Sequence, residues 1–407
     1  MKLKDQIVIW GSGTRGMGAY YALRKSYEIL GFLDSDPEKK HMEIVDGKKV
    51  LESKPAGCLV IIACGRWMEV SRLLLEKGLR LCVDFLPYHM LMMEEIRLND
   101  LLYCFRAEDI AAYLKEVRDR KQVALIYGNC QIDIMANMME YNEEFRKRYI
   151  LLRVPPVHLY KDEAHIEKVL YSDEIMKLVD LFIFQCVRED NRYSAKLGTA
   201  HIAEGMGKGC RKVCIHNLYF DGYFIQYDSD EGKYLKNMDE KSFPYTDVIV
   251  DMLLEDKKGT EEIIQLISKD DFVPKEKIET RCRKSIENLC AREKLVDVPI
   301  VDYIREHYKR EQLFYTHNHP KNIVIYEYVK RILRVLEIDC VDEFTEEELN
   351  LEFGTLRINN FPVYPCVVKA LGLEKYETKA RISHISPGLV TMRQYIREYI
   401  SRCCGVE

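Results

Sequence analysis

QIVIWGSGTRG (6–16) runs from a short apolar stretch through a glycine-rich turn into an Ala/Tyr/Leu-rich segment that reaches about Ser26, and it reads as strand, turn and helix. ILGFLDSD (29–36) follows as a second strand, so the chain opens on a βαβ unit. CLVIIACG (58–65) is a continuous apolar run of the kind expected for a strand buried on both faces, VSRLLLEKG (70–78) has helical spacing and a Gly stop, and LRLCVDF (79–85) reads as a further strand. Strands alternating with helices imply an α/β protein with a parallel sheet.

Gly11, Gly13 and Gly16 form G-x-G-x-x-G between that first strand and helix, where glycines permit a sharp turn and close approach of a pyrophosphate to a helix N-terminus. Asp34 ends the second strand at about the distance where a carboxylate can accept from a ribose hydroxyl. The plainer alternative is that the glycines only let the turn pack, with Asp34 and Asp36 opening a polar loop. GFLDSDPEKK, IIACG and VDF, within Met1 to Leu86, resemble the small Rossmann-like domains of bacterial sugar-modifying enzymes, notably the N-terminal sugar-nucleotide-binding domain of the PglD-type acetyltransferases. That resemblance implies a nucleoside-diphosphate sugar held by Gly11, Ser12, Gly13, Gly16 and Asp34. Nothing later in the chain resembles a hydride-transfer domain, which disfavours an NAD-dependent dehydrogenase.

Residues 1–88 are therefore expected as a Rossmann-like domain, 89–122 as a helical connection, and 123–407 as a second α/β domain with helical insertions. VALIY (123–127) is a buried strand leading through GNCQ (128–131) into the helix IDIMANMMEY; LFIFQCV (181–187) and KVCIHNL (212–218) are further strands. Between about Asp228 and Gln312 the sequence is charged and helical, and the core pattern resumes at FYTHNHP (314–320) and the amphipathic helix NIVIYEYVKRILRVL (322–336).

The 407 residues carry 61 basic and 66 acidic side chains, a net charge of −5, with 47% hydrophobic residues. This is globular composition, and it gives no broad positive field for nucleic acid. No apolar run reaches the roughly 18 residues that span a bilayer, and the first residues show no secretory h-region, so a cytoplasmic location without a membrane span is expected. Most of the 14 cysteines sit in apolar segments and read as buried, reduced hydrophobes. Cys403 and Cys404 lack a second pair at zinc spacing, and no metal is expected. Oligomerisation is left open.

Cys130 stands where a strand passes into a helix, the place where α/β acyl-transfer enzymes expose a nucleophile. The helix N-terminus is expected to favour thiolate and to bind an oxyanion, with Gly128 in the turn and Asn129 and Gln131 adding amides. YGNCQ, FIFQCVRED (182–190), HNLYFDGYFIQY (216–227) and THNHP (316–320) together resemble the WcbI family of polysaccharide-biosynthesis enzymes. The resemblance implies an SGNH-hydrolase-like fold that binds coenzyme A, with Cys130 and Gln131 at its thiol end, His319 as the site histidine, and Gln185 lining the same pocket. Asn318 joins them in the THNHP segment.

Pro320 biases His319 toward extended backbone, which suits a base at a loop rim. Thr316 stands where SGNH hydrolases carry the aspartate of Asp-x-x-His, which weakens a hydrolase triad. His317 reads as a solvated loop residue. Tyr219, Phe220, Tyr223, Phe224 and Tyr227 are candidates for an acyl or sugar pocket wall, NNFPVYPCV (359–367) for a rigid loop nearby, and Arg188, Lys208 and Arg211 for coenzyme A phosphates. The function expected is O-acetyl transfer from acetyl-CoA to a sugar or sugar nucleotide in capsular or exopolysaccharide biosynthesis. The alternatives are an SGNH-like carbohydrate esterase and a non-catalytic sugar-nucleotide-binding scaffold.

Overall fold

The structure is a computed structural model that describes residues 6–34, 58–92, 96–159, 170–191, 194–227, 242–243, 245–340, 342–357, 360–377, 379–382 and 389–403. Asp36, the first part of the charged insertion (228–241), Asn359 and Cys404 lie outside the described residues.

The chain divides into two compact units, Met1–Tyr127 with Glu143–Lys212, and Gly128–Asn142 with Val213–Glu407. The first unit opens as its sequence implies: β1 (Gln6–Trp10), α1 (Thr14–Leu23), β2 (Glu28–Leu33), β3 (Cys58–Ile62), α2 (Trp67–Glu76) and β4 (Phe85–Pro87). The four strands form a parallel sheet of order β2-β1-β3-β4. The expected strand over 79–85 is displaced. The Arg80 carbonyl accepts from Val83, Asp84 and Phe85, Cys82 turns with φ of 62°, and the strand starts only at Phe85.

The segment expected as a helical connection holds α3 (Tyr88–Leu91), a two-residue strand β5 (Ile96–Arg97), α4 (Leu98–Cys104) and α5 (Ala107–Arg118). It does not separate two cores. Leu98, Leu101, Ile110, Leu114 and Val117 belong to one continuous buried cluster that runs from Ile7 to Met206. β6 (Gln122–Tyr127), the strand expected to found a second domain, therefore clusters with the first unit.

After β6 comes α6 (Gln131–Tyr141), which belongs to the second unit, and then α7 (Glu143–Arg148), β7 (Tyr149–Arg153), α8 (Asp173–Met176), β8 (Leu181–Gln185), α9 (Thr199–Glu204) and β9 (Arg211–Ile215). The second sheet has the order β5-β7-β6-β8-β9, with β6 parallel to both β7 and β8. Among the described residues no helix is long and apolar enough to cross a membrane.

The second unit is dominated by helices: α10 (Val248–Glu255), α11 (Thr260–Ile267), α12 (Lys275–Glu293) and α13 (Val301–His307) precede the hairpin β10 (Phe314–Thr316) and β11 (His319–Pro320). α14 (Asn322–Val335), which packs on α6, α15 (Glu346–Phe353), α16 (Pro365–Leu371), the short pair β12 (Lys379–Ala380) and β13 (Val390–Thr391), and α17 (Met392–Cys403) complete it. Its core is aromatic, with Phe220, Tyr223, Phe224, Phe314, Tyr315, Tyr328 and Tyr364 fully enclosed.

Candidate functional site

In the second unit the GNCQ turn is closed locally. The Asn129 side-chain oxygen accepts from the Gln131 backbone N–H at 2.9 Å, the Asn129 carbonyl accepts from Ile132, and the Asn129 amide donates to the Asn217 side chain at 2.8 Å. Gln131 is completely buried. Its amide nitrogen donates to the carbonyls of Leu218 and Asn318, both at 2.8 Å, while its oxygen accepts from the Leu218 N–H at 3.1 Å. A residue expected in a catalytic role is thus consumed in tying three chain segments together, and it has no amide left to offer a substrate.

THNHP folds as a tight hairpin in which Thr316 pairs with His319 across a turn made of His317 and Asn318. The Asn318 side-chain oxygen accepts from the Tyr245 hydroxyl at 3.0 Å and from the Thr316 hydroxyl at 2.9 Å. Because Gln131 bonds to the Asn318 carbonyl, the residue before it, Cys130, and the residue after Asn318, His319, flank one hydrogen bond.

His317 is not the solvated loop residue expected. It is buried, stacked on Tyr227 with ring centroids 3.7 Å apart, and bordered by Tyr219 and Tyr245. Burial, with the charges of His319 and Arg281 adding, pushes its imidazole down to about 3, so the ring is neutral at ordinary pH. Cys130 also departs from expectation. It is only partly exposed, and desolvation, reinforced by the Asp133 carboxylate, pushes its thiol up to about 11 where thiolate character was expected.

Tyr223 is a core residue and not a pocket wall, since it is fully buried with its hydroxyl donating to the Tyr308 and Glu311 carbonyls. Phe220 and Phe224 share that core, whereas Tyr219 and Tyr227 face His317. Phe361, from the Pro-flanked loop, packs against Tyr245. Gln185 is buried at the end of β8 in the first unit, to which Arg188, Lys208 and Arg211 also belong. Arg188 is engaged by Asp190 at 2.6 Å.

Two arginines that sequence reasoning passed over shape the site. Arg281 donates to the Asp221 carboxylate and to the Tyr227 carbonyl, and Arg292, its charge disfavoured by burial, donates to the Tyr219 carbonyl. They stand about three turns apart on α12, on the face that also carries Ser285, whose hydroxyl accepts from the Asp221 N–H. That spacing was the available signal within a segment read as a charged insertion.

In the first unit the three glycines have separate jobs. Gly11 adopts φ of +114° and donates to the Leu33 carbonyl at 2.7 Å, and a Cβ there would lie 2.7 Å from the Ala63 carbonyl oxygen. A Cβ on Gly16 would sit 1.7 Å from the Gly11 carbonyl oxygen, so only glycine lets helix and turn pack. Gly13 has open space beside it and faces a cavity of about 490 Å³. Trp10, Arg15, Asp34, Cys64 and Arg66 help line that cavity. It opens at the C-terminal ends of β1 and β3, where the strand order reverses, the usual ligand position in such sheets. Asp34 is already engaged, its Oδ2 accepting from the Ser12 backbone at 2.9 Å and the Ser12 hydroxyl at 2.5 Å.

A family model described as "Polysaccharide biosynthesis enzyme WcbI" matches residues 123–340. The solved structure of a protein described as WcbI, a novel polysaccharide biosynthesis enzyme, in a native form without a disulfide bond between COA and one of its cysteines, aligns with a TM-score of 0.58. The alignment covers 71% of this chain and 91% of that one at 18% identity, a likeness of fold. No curated protein matches.

Proposed function

This chain belongs to the WcbI family of polysaccharide biosynthesis enzymes, and we propose that it transfers an acetyl group from acetyl-CoA to a hydroxyl of a sugar or sugar nucleotide. The observation that carries the reading is the Gln131 clamp, which fastens the cysteine turn to the histidine hairpin and so gathers a thiol, an imidazole and the α6 N-terminus in one unit. The COA named for the similar WcbI structure supplies the donor class. The N-terminal cavity, with its glycine turn, supports a nucleoside-diphosphate sugar as the acceptor.

A thiol held near 11 is a poor nucleophile at neutral pH, which favours direct transfer over an acyl-enzyme. In that mechanism His319 takes the proton of the sugar hydroxyl as its oxygen attacks the thioester carbonyl. The N-terminus of α6 stabilises the oxyanion, and the intermediate collapses by expelling the coenzyme A thiolate, which takes the proton back from His319. Neutral Cys130 and the aromatic segment around His317 shape the thiol end of the site.

The test is release of coenzyme A thiol by the full chain, given acetyl-CoA and a panel of sugar nucleotides. His319→Gln should remove turnover, while Cys130→Ala should leave a measurable rate and intact coenzyme A binding. An acetylated Cys130 trapped in the wild type would replace direct transfer with the covalent route. Acyl release to water without coenzyme A dependence would sink the transferase reading.

A further inference from the structure

The cavity at the N-terminal glycine turn carries more chemical detail than the motif that led to it. Two ten-residue helices begin at its wall, α1 with Gly13 as N-cap and α2 with Arg66 as N-cap, and neither has a side-chain cap. Arg15 projects from the first turn of α1 toward the β3–α2 turn, where a Cβ on Gly65 would lie 3.6 Å from its Nη1. Among the described residues Arg15 has no ion-pair partner, and Arg66 meets only the exposed Glu69 at 3.8 Å, a contact worth little in water. Two guanidiniums therefore line an opening of about 490 Å³ at the switch point of the sheet.

The remaining wall differs in kind. Asp34 and Glu69 bring carboxylates that accept from hydroxyls and repel anions, and Trp10, Val70 and Leu73 give apolar surface for a ring. A bare phosphate leaves that surface unused, and a neutral sugar leaves two guanidiniums without anions. Asp34 is fastened to Ser12 through Oδ2, so one of its oxygens holds the turn and is not offered to a ribose diol.

We infer that Arg15 and Arg66 form a clamp for the diphosphate of a glycosyl or nucleoside diphosphate, and that this clamp, more than the glycine turn, decides which ligands the N-terminal unit accepts. The inference deepens the sugar-nucleotide reading above and rests on it for the identity of the ligand's remainder. Planar guanidiniums that bind phosphate bidentately make the two positions sensitive even to lysine, which offers a point charge.

Calorimetry on the full chain tests it, with uridine, uridine diphosphate, a uridine-diphosphate sugar and inorganic pyrophosphate as probes, on wild type, Arg15→Gln, Arg66→Gln and the double variant. Both side chains are exposed, so unliganded melting should be unchanged. The expected result is that the diphosphate binds at least about a hundredfold tighter than uridine, and that each substitution removes roughly tenfold of that advantage. Equal binding of the uridine-diphosphate sugar to wild type and double variant would overturn the clamp while leaving the sugar-nucleotide reading in place. Arginine-dependent binding of pyrophosphate with no binding of the sugar nucleotide would uphold the clamp and refute that reading. No heat from any probe at millimolar concentration would overturn both.

Discussion

Replacing Gln131 with Ala removes a side chain whose three short hydrogen bonds all go to backbone groups, the Leu218 N–H, the Leu218 carbonyl and the Asn318 carbonyl. A buried neutral group left without its partner costs about 1–3 kcal/mol. Leu218 is fully buried, so its two groups fall toward the upper part of that range, while Asn318 is only partly buried and water can relieve its carbonyl. The sum is roughly 4–7 kcal/mol, a large share of the 5–15 kcal/mol that typically holds a domain together. Urea unfolding should show the loss, and hydrogen exchange should show where it falls, because the Leu218 amide loses its only acceptor on the Gln131 side chain. Gln131→Glu sharpens the assay. It keeps an acceptor for the Leu218 N–H but sets a carboxylate oxygen against two carbonyls, so it should be worse than Ala at neutral pH and recover partly on acidification, when the protonated form can donate once. A Gln131→Ala protein destabilised by less than about 1 kcal/mol, with Leu218 exchange unchanged, would show that the clamp does not hold the turn to the hairpin.

Three further outcomes follow from the same structure. Asp247 is completely buried against Tyr364 and Tyr399, and burial pushes its carboxyl up to about 7. A folded pKa raised above the unfolded carboxylate value of about 3.9 means the folded state holds the proton more tightly, so this contribution to stability is complete in acid and is lost as pH rises from about 4 to 7; Asp247→Asn should flatten that part of the stability profile, and an unchanged slope in denaturant titrations would count against it. Alkylation of Cys130, followed on its own peptide by mass spectrometry, should still be accelerating above pH 9, toward an apparent value near 11, and a plateau below pH 8.5 would restore the thiolate reading. Gly16→Ala should cost about 2–4 kcal/mol in thermal or urea unfolding because its methyl meets the Gly11 carbonyl, while Gly13→Ala, with nothing beside it, should cost less than about 1 kcal/mol; equal losses would refute the separate roles given to these glycines.

The first sheet was legible because β1 and β3 are short apolar runs buried on both faces, a pattern that period and length settle by themselves. The place where the chain divides was not. Helical spacing over 107–118 announces α5 but does not say which core its Ile110, Leu114 and Val117 will enter, and they complete the cluster of the first sheet, so β6 and β7 fall in the same unit as that sheet. The site shows the same limit. Its turn and hairpin were readable as local features, yet the burial of His317 depends on Tyr219, Tyr227 and Tyr245, about 70 to 100 positions earlier in the chain, and no local pattern around THNHP reports them. Gln131 was readable as an amide at a helix start, but only the arrival of Leu218 and Asn318 decides that the amide is spent inside the protein.

The chain uses the strand, turn and helix arrangement twice, and the two turns end in opposite electrostatic states. After β1 the turn is made of glycines, its one polar side chain is tied back to Asp34, and the helix N-terminus is left beside a cavity with two arginines. After β6 the turn carries Asn, Cys and Gln, and the two amides fold inward and bond to backbone and to the Asn217 side chain. A helix terminus offers a neighbouring anion about 0.3–1 kcal/mol at an exposed position, whereas each pH unit of displaced titration corresponds to about 1.4 kcal/mol. The terminus of α6 therefore cannot hold Cys130 as a thiolate once packing has taken its water and Asp133 stands close by. The first turn stays available to an anion brought by a ligand, and the second favours a neutral thiol, so charge should develop there only during the reaction, as the oxyanion and the His319 imidazolium form together.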